Sequence, residues 1–217
     1  NHLGTWAIEP AWFRGSMSWL RTTGFAAAIA HPRADGAQAA AAGERRFAAS
    51  GGIAMIPIYG SMMKGQSKFG GTSTQDTRRA ITAATSDNSI DGIMLHIDSP
   101  GGHVAGTQEL ADDIAAADKI KPVHAHIDDL GASAAYWAGS QARNLTINEA
   151  GSAGSIGVFA VLYDTSGAAE AEGVKVHVVS TGEHKGAGID GAPITDENLA
   201  TIAMWQHMEG QSDQGRG

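Results

Sequence analysis

Three short apolar runs alternate with stretches of helical periodicity, and this alternation restricts the fold more than any other feature of the chain. The runs are Ile53-Ala54-Met55-Ile56-Pro57-Ile58, Ile93-Met94-Leu95-His96-Ile97 and Pro122-Val123-His124-Ala125-His126-Ile127. The first is flanked by Gly51-Gly52 and Gly60, as suits a buried strand. Between the runs, Thr74 to Thr85 places Ala80, Ile81 and Ala84 toward a core with Arg78-Arg79 outward. The stretch from about Val104 to Lys119 repeats Leu110, Ile114 and Ala117 at helical spacing. Further on, Leu145 to Ile147, Ile156 to Leu162 and Val174 to Val179 read as strands; Thr165 to Glu172 and Thr195 to Met208 read as helices. This order predicts an α/β domain with largely parallel pairing and right-handed crossovers.

That domain occupies residues 51–209. Before it, residues 1–50 form an arm and linker carrying Trp6, Trp12 and Trp19, whose spacing puts them on a similar helical face. Residues 61 to 72 read as a polar, glycine-rich surface loop, and residues 210–217 as a frayed tail. The chain begins at Asn1 rather than Met, which leaves a preceding leader or anchor open. No apolar run approaches the roughly 20 residues of a membrane-spanning helix.

Composition narrows the function classes. A formal net charge of −8 over 217 residues, with only the short pairs Arg45-Arg46 and Arg78-Arg79, predicts no nucleic-acid partner. With no cysteine there is no disulfide framework and no thiolate chemistry, and the scattered His and Asp residues form no metal motif. Neither a metal nor a cofactor is expected.

Two turns carry the chemistry. Gly131-Ala132-Ser133-Ala134-Ala135-Tyr136-Trp137 follows the third apolar run and leads into a small-residue helix. A serine there is presented at a helix start beside backbone N–H groups, with small neighbours that let a carbonyl approach. Helix capping is the plainer role for such a serine. The second turn, Asp98-Ser99-Pro100-Gly101-Gly102, follows the second run directly. Pro100 restricts Ser99, and the two glycines permit N–H groups to face a cleft where they could stabilise an oxyanion. An ordinary strand-to-helix turn would look the same.

Taken together with Gly154-Ser155-Ile156-Gly157-Val158, these two motifs resemble the signal peptide peptidase A family of serine peptidases, which includes bacteriophage head-maturation proteases. The resemblance spans roughly residues 51 to 190. It implies the Clp-protease/crotonase-like fold, a spiral of ββα units, and makes residues 51–209 a peptidase domain. It also implies a serine–lysine dyad, with Ser133 as nucleophile and Lys185, in Gly182-Glu183-His184-Lys185-Gly186, as base. An ammonium cannot accept a proton, so that lysine must be neutral part of the time, which exclusion of water favours. Ser155 matches the position that orients the amine, and the backbone N–H groups of Gly102 and Ala134 would form the oxyanion hole.

The same resemblance implies a protein or peptide substrate bound as an extended strand along an edge near His103 and Val104. It implies a homo-oligomeric ring in which the lysine can come from an adjacent subunit, and a tail longer than Gln211 to Gly217. The phage branch would act on capsid and scaffold proteins in the host cytoplasm; the cellular branch would degrade signal peptides at the membrane.

Lys64, Lys68 and His184 are weaker candidates for the base. A Ser-His-Asp protease of this fold would place its histidine soon after the serine, and none stands between Ala134 and Val176. His177 falls in an expected strand. Two other readings stay open: a non-catalytic capsid or scaffold component that keeps the fold, and a crotonase-like acyl-CoA enzyme.

Overall fold

The computed structural model describes residues 6–8, 47–68, 70–182 and 185–214. Among them, parallel strands carry helices on one face, an α/β architecture. The main sheet is six-stranded, ordered β10-β8-β6-β3-β2 with β9 also on β8. Its strands are β2 (Ala48–Ser50), β3 (Ile53–Tyr59), β6 (Gly92–Ser99), β8 (Val123–Ala132), β9 (Asn144–Ile147) and β10 (Ser152–Gly154). All pair in parallel except β2 with β3.

The period of two along β3, β6 and β8 sends Ala54, Ile56, Ile58, Ile93, Leu95, Ile97, Val123, Ala125 and Ile127 into the core. Each fully buried Val, Leu or Ile side chain among them contributes about 1.5–3 kcal/mol. Helices α1 (Thr74–Ser86), α2 (Thr107–Asp118) and α3 (Ala134–Ser140) supply most of the rest of that core, with Phe47, Met62 and Ile90. In α1 the Ser73 hydroxyl caps the first turn by accepting the Asp76 N–H, and Ala80, Ile81 and Ala84 are buried as expected. Leu110, Ile114 and Ala117 do the same for α2. Arg78 points outward to Asp113, at 2.6 Å across to α2.

His124 and His126 do not sit in a strand buried on both faces. They share the second sheet face with His96, Asp98 and Asp128, all at least partly exposed. There His96 Nε2 meets Asp128 Oδ2 at 2.7 Å, its Nδ1 meets the Tyr59 hydroxyl, and its ring stacks on His126.

A second, four-stranded sheet has the order β1-β7-β4-β5: β1 (Trp6–Ile8), β7 (Gly101–His103), β4 (Met62–Met63) and β5 (Thr72–Ser73). It corrects two expectations. Residues 61 to 72 are no mere surface loop, since they hold β4 and the start of β5, and Met62 is fully buried. Trp6 lies in a strand rather than on a helical face; Trp12 and Trp19 lie outside the described residues. The end of the expected linker also joins the domain, with Phe47 in the core and Ala48–Ser50 paired to β3.

Beyond β10 the chain changes character. Helices α4 (Ser166–Ala171) and α5 (Asp196–Gln214) form where expected. The strands expected at residues 156–162 and 174–179 do not. The first run reaches only an isolated bridge at Phe159, and the second forms no ladder among the described residues, so neither extends into a strand. Beyond β10, Val179 is 96% exposed, Tyr163 73% and Trp205 53%.

Candidate active site

Strand β8 delivers Ser133 to the mouth of the sheet. Its backbone sits at φ 53° and ψ −120°, a region that side chains with a Cβ rarely adopt. Two bonds hold it there. Its N–H donates to the Gly154 carbonyl at 2.7 Å, and its own carbonyl accepts the Trp137 N–H at 2.9 Å. The hydroxyl makes no capping bond to α3, so the plainer role for this serine is not the one it plays. The residue is 5% exposed, enclosed by buried Gly131, Ala132, Ala134 and Ala135. Ala134 opens α3, where a first-turn amide has no carbonyl one turn earlier to bond.

The β6–β7 turn forms the adjoining wall. Ser99, fully buried, donates its hydroxyl to the Gly60 carbonyl at 2.6 Å and accepts the Gly101 N–H at 3.2 Å. Gly101 has φ 89°, which glycine takes without strain. Gly102 pairs with Met62, and a Cβ built on it would overlap the Met62 carbonyl. Helix α3 packs against β7, so Gly102 and the Ser133 turn belong to neighbouring elements. Ser99 was legible only as a motif letter; its part in shaping this wall comes from burial and two hydrogen bonds.

β7 ends at His103, one residue short of the expected edge. Val104 turns away, packing on the core while its carbonyl accepts the Thr107 N–H at 3.0 Å. The edge itself carries β1, antiparallel, in the register Trp6 to His103, Ala7 to Gly102 and Ile8 to Gly101. No sequence signal marked a three-residue strand so far from its partner.

Ser155 follows Gly154 directly and, like Ser133, has a positive φ, 54°. Among the described residues these two serines are the non-glycine positions with this conformation. Lys185 is exposed; its N–H donates to the Gly182 carbonyl at 3.1 Å, and Gly186 lies against Val178. Among the described residues no hydrogen bond joins Lys185 to Ser133 or Ser155. Lys64 pairs with Glu109 at 3.4 Å, Lys68 and His177 are exposed, and His184 lies outside the described residues. Near the turn, burial raises the Asp98 carboxyl above its ordinary range, and the Asp129 charge adds to this. Among the described residues no helix is long and apolar enough to cross a membrane.

Residues 115–211 match the model of peptidase family S49. Capsid assembly protease C of Escherichia phage lambda is 34% identical over 153 residues, covering 69% of this chain and 34% of that protein. Head-tail preconnector protein GP5 of Enterobacteria phage P21 is 33% identical over 138 residues, 62% of this chain and 28% of that protein. Protease 4 of Salmonella typhi is 31% identical over 132 residues, 60% of this chain and 21% of that protein. The chain thus spans about a third or less of the length of these relatives. The match over residues 115–211 and these three relatives bear out the resemblance read from the serine motifs: that stretch is similar to peptidase family S49.

Proposed function

We propose that this domain is a serine endopeptidase whose nucleophile is Ser133. The observation that carries the reading is the strained, uncapped Ser133, held at a strand-to-helix junction among small buried residues. Strain of this kind costs about 1–3 kcal/mol and persists only where surrounding structure enforces it, as at nucleophile turns.

In the proposed reaction the neutral amine of Lys185 takes the Ser133 hydroxyl proton as Oγ attacks the peptide carbonyl. The amides of Gly102 and Ala134 bond the oxyanion, and Ser155 orients the amine. Collapse of the tetrahedral intermediate expels the amine half of the substrate, which takes the proton back from Lys185, and leaves an acyl-Ser133 ester. Water, deprotonated by the same lysine, then hydrolyses that ester.

Lys185 is exposed in the single chain, whereas a working base needs shelter from water. The apolar residues left uncovered beyond β10 support assembly as a homo-oligomer, a ring in which a neighbouring copy covers this segment and completes the dyad. We read the architecture as the Clp/crotonase-like spiral. The phage relatives, named for capsid assembly and a head-tail preconnector, support capsid or scaffold proteins as substrates. Degradation of signal peptides is the other substrate class for this active site.

Intact-mass measurement after fluorophosphonate treatment of wild type, Ser133→Ala and Lys185→Ala tests the dyad. One adduct on assembled wild type, lost in both folded variants, is expected. No adduct on assembled wild type overturns the peptidase reading in favour of a scaffold role. Loss only in Ser133→Ala keeps the nucleophile and moves the base to another residue.

A further inference from the structure

A strand has two edges, and both edges of β7 are taken. β4 occupies one, with Met62 against Gly102, and β1 the other, with Ala7 against Gly102. An extended peptide can reach Gly102 by strand addition only along the edge that Trp6–Ile8 now holds. We propose that Trp6–Ile8 is a resident occupant of the peptide-docking edge of β7, an intramolecular strand that an incoming substrate must displace.

This inference rests on the reading of Ser133 as a nucleophile beside that edge. The register puts β1 against all three residues of β7, including the Gly102 assigned to the oxyanion hole. β1 runs antiparallel to β7, which sets the direction an entering peptide would copy. Three residues make a short pairing with few ladder hydrogen bonds, so the strand can be displaced. Because it belongs to the same chain, it competes at an effective concentration that dilution does not change.

The test uses the full chain in its assembled form. Paired residues of an antiparallel ladder alternate between bonded and non-bonded, so either Ala7→Pro or Ile8→Pro removes a ladder bond whichever pair is bonded. One of the two variants should raise kcat/KM for a peptide substrate by about two- to tenfold, mainly through KM, the scale of one hydrogen bond. Amide exchange should quicken in that variant at whichever of Gly102 and His103 donates to β1, while the labelling rate of Ser133 by a small fluorophosphonate stays the same. A synthetic peptide spanning Gly4 to Pro10 should inhibit the variant competitively.

Unchanged kcat/KM and unchanged exchange in both variants, with Ser133 still labelled, would overturn this inference alone. Cleavage of wild type within residues 6–8 that disappears in Ser133→Ala would also overturn it, making the segment a substrate for self-processing. No labelling of Ser133 in any assembled form would remove the peptidase reading, and this inference with it.

Discussion

The amide of Ser133 donates to the carbonyl of Gly154 at 2.7 Å, tying the end of β8 to the end of β10. Through that bond the turn bearing one positive-φ serine is held beside the turn bearing the other, Ser155. The parallel pairing that sets it up runs from Leu130–Ser152 to Ala132–Gly154. The position of the proposed nucleophile is therefore a property of the sheet, and α3 begins only after the conformation has been set.

Replacing Ser133 separates strain from chemistry. Ser133→Ala keeps the Cβ at φ 53°, whereas Ser133→Gly releases it. Glycine gains chain entropy when unfolded, which offsets part of the relief. The glycine variant should still unfold at a higher urea concentration than the alanine variant, by about 1 kcal/mol. Both should lack the fluorophosphonate adduct. Equal stabilities would mean that the turn is not strained.

Ser99→Ala should be costly without touching the nucleophile. The buried hydroxyl serves the Gly60 carbonyl and the Gly101 N–H, and neither finds a ready substitute. Leaving buried polar groups unpaired costs about 1–3 kcal/mol. Because these bonds shape the turn that presents Gly102, kcat should fall more than KM rises. Urea unfolding and peptide kinetics would check both halves, and an unaffected kcat would separate Ser99 from the oxyanion wall.

The legible parts of this chain were those whose pattern is local. Ala80, Ile81 and Ala84, and Leu110, Ile114 and Ala117, repeat at helical spacing and are buried where that spacing puts them. What escaped depends on a distant or absent partner. Met62–Met63 and Thr72–Ser73 are strands only because they meet each other, and Trp6–Ile8 only because it meets β7. Val174 to Val179 has the composition of a strand yet pairs with nothing described, since composition does not supply an edge. At the site, the strand-to-helix serine was readable from its small neighbours. Lys185 was named as the base only through the resemblance, and among the described residues no hydrogen bond joins it to Ser133.

Val179→Asp probes the proposed assembly of copies. The side chain is 96% exposed in the single chain, so the substitution should change monomer stability by less than about 0.5 kcal/mol. Buried against a neighbouring copy, an unpaired carboxylate would be strongly unfavourable. Analytical ultracentrifugation should show the variant shifted from oligomer to monomer, with adduct formation at Ser133 lost in parallel. An unchanged sedimentation profile would place this segment outside any interface.

Asp98→Asn should give a stability gain that depends on pH. The folded-state carboxyl titrates above its ordinary range because of burial first and the Asp129 charge next. A raised folded value means that the stability contribution is fully present below the ordinary carboxylate range. It is lost as pH rises through the raised value. At neutral pH the ionised Asp98 therefore opposes folding, and asparagine removes that opposition. Much of the residue stays open to solvent, so the effect is small and its sign is the test. Thermal unfolding should put the variant above wild type at neutral pH, with the difference vanishing once acid has protonated Asp98 in both states. A gain that persists unchanged into acid would assign the effect to packing instead of charge.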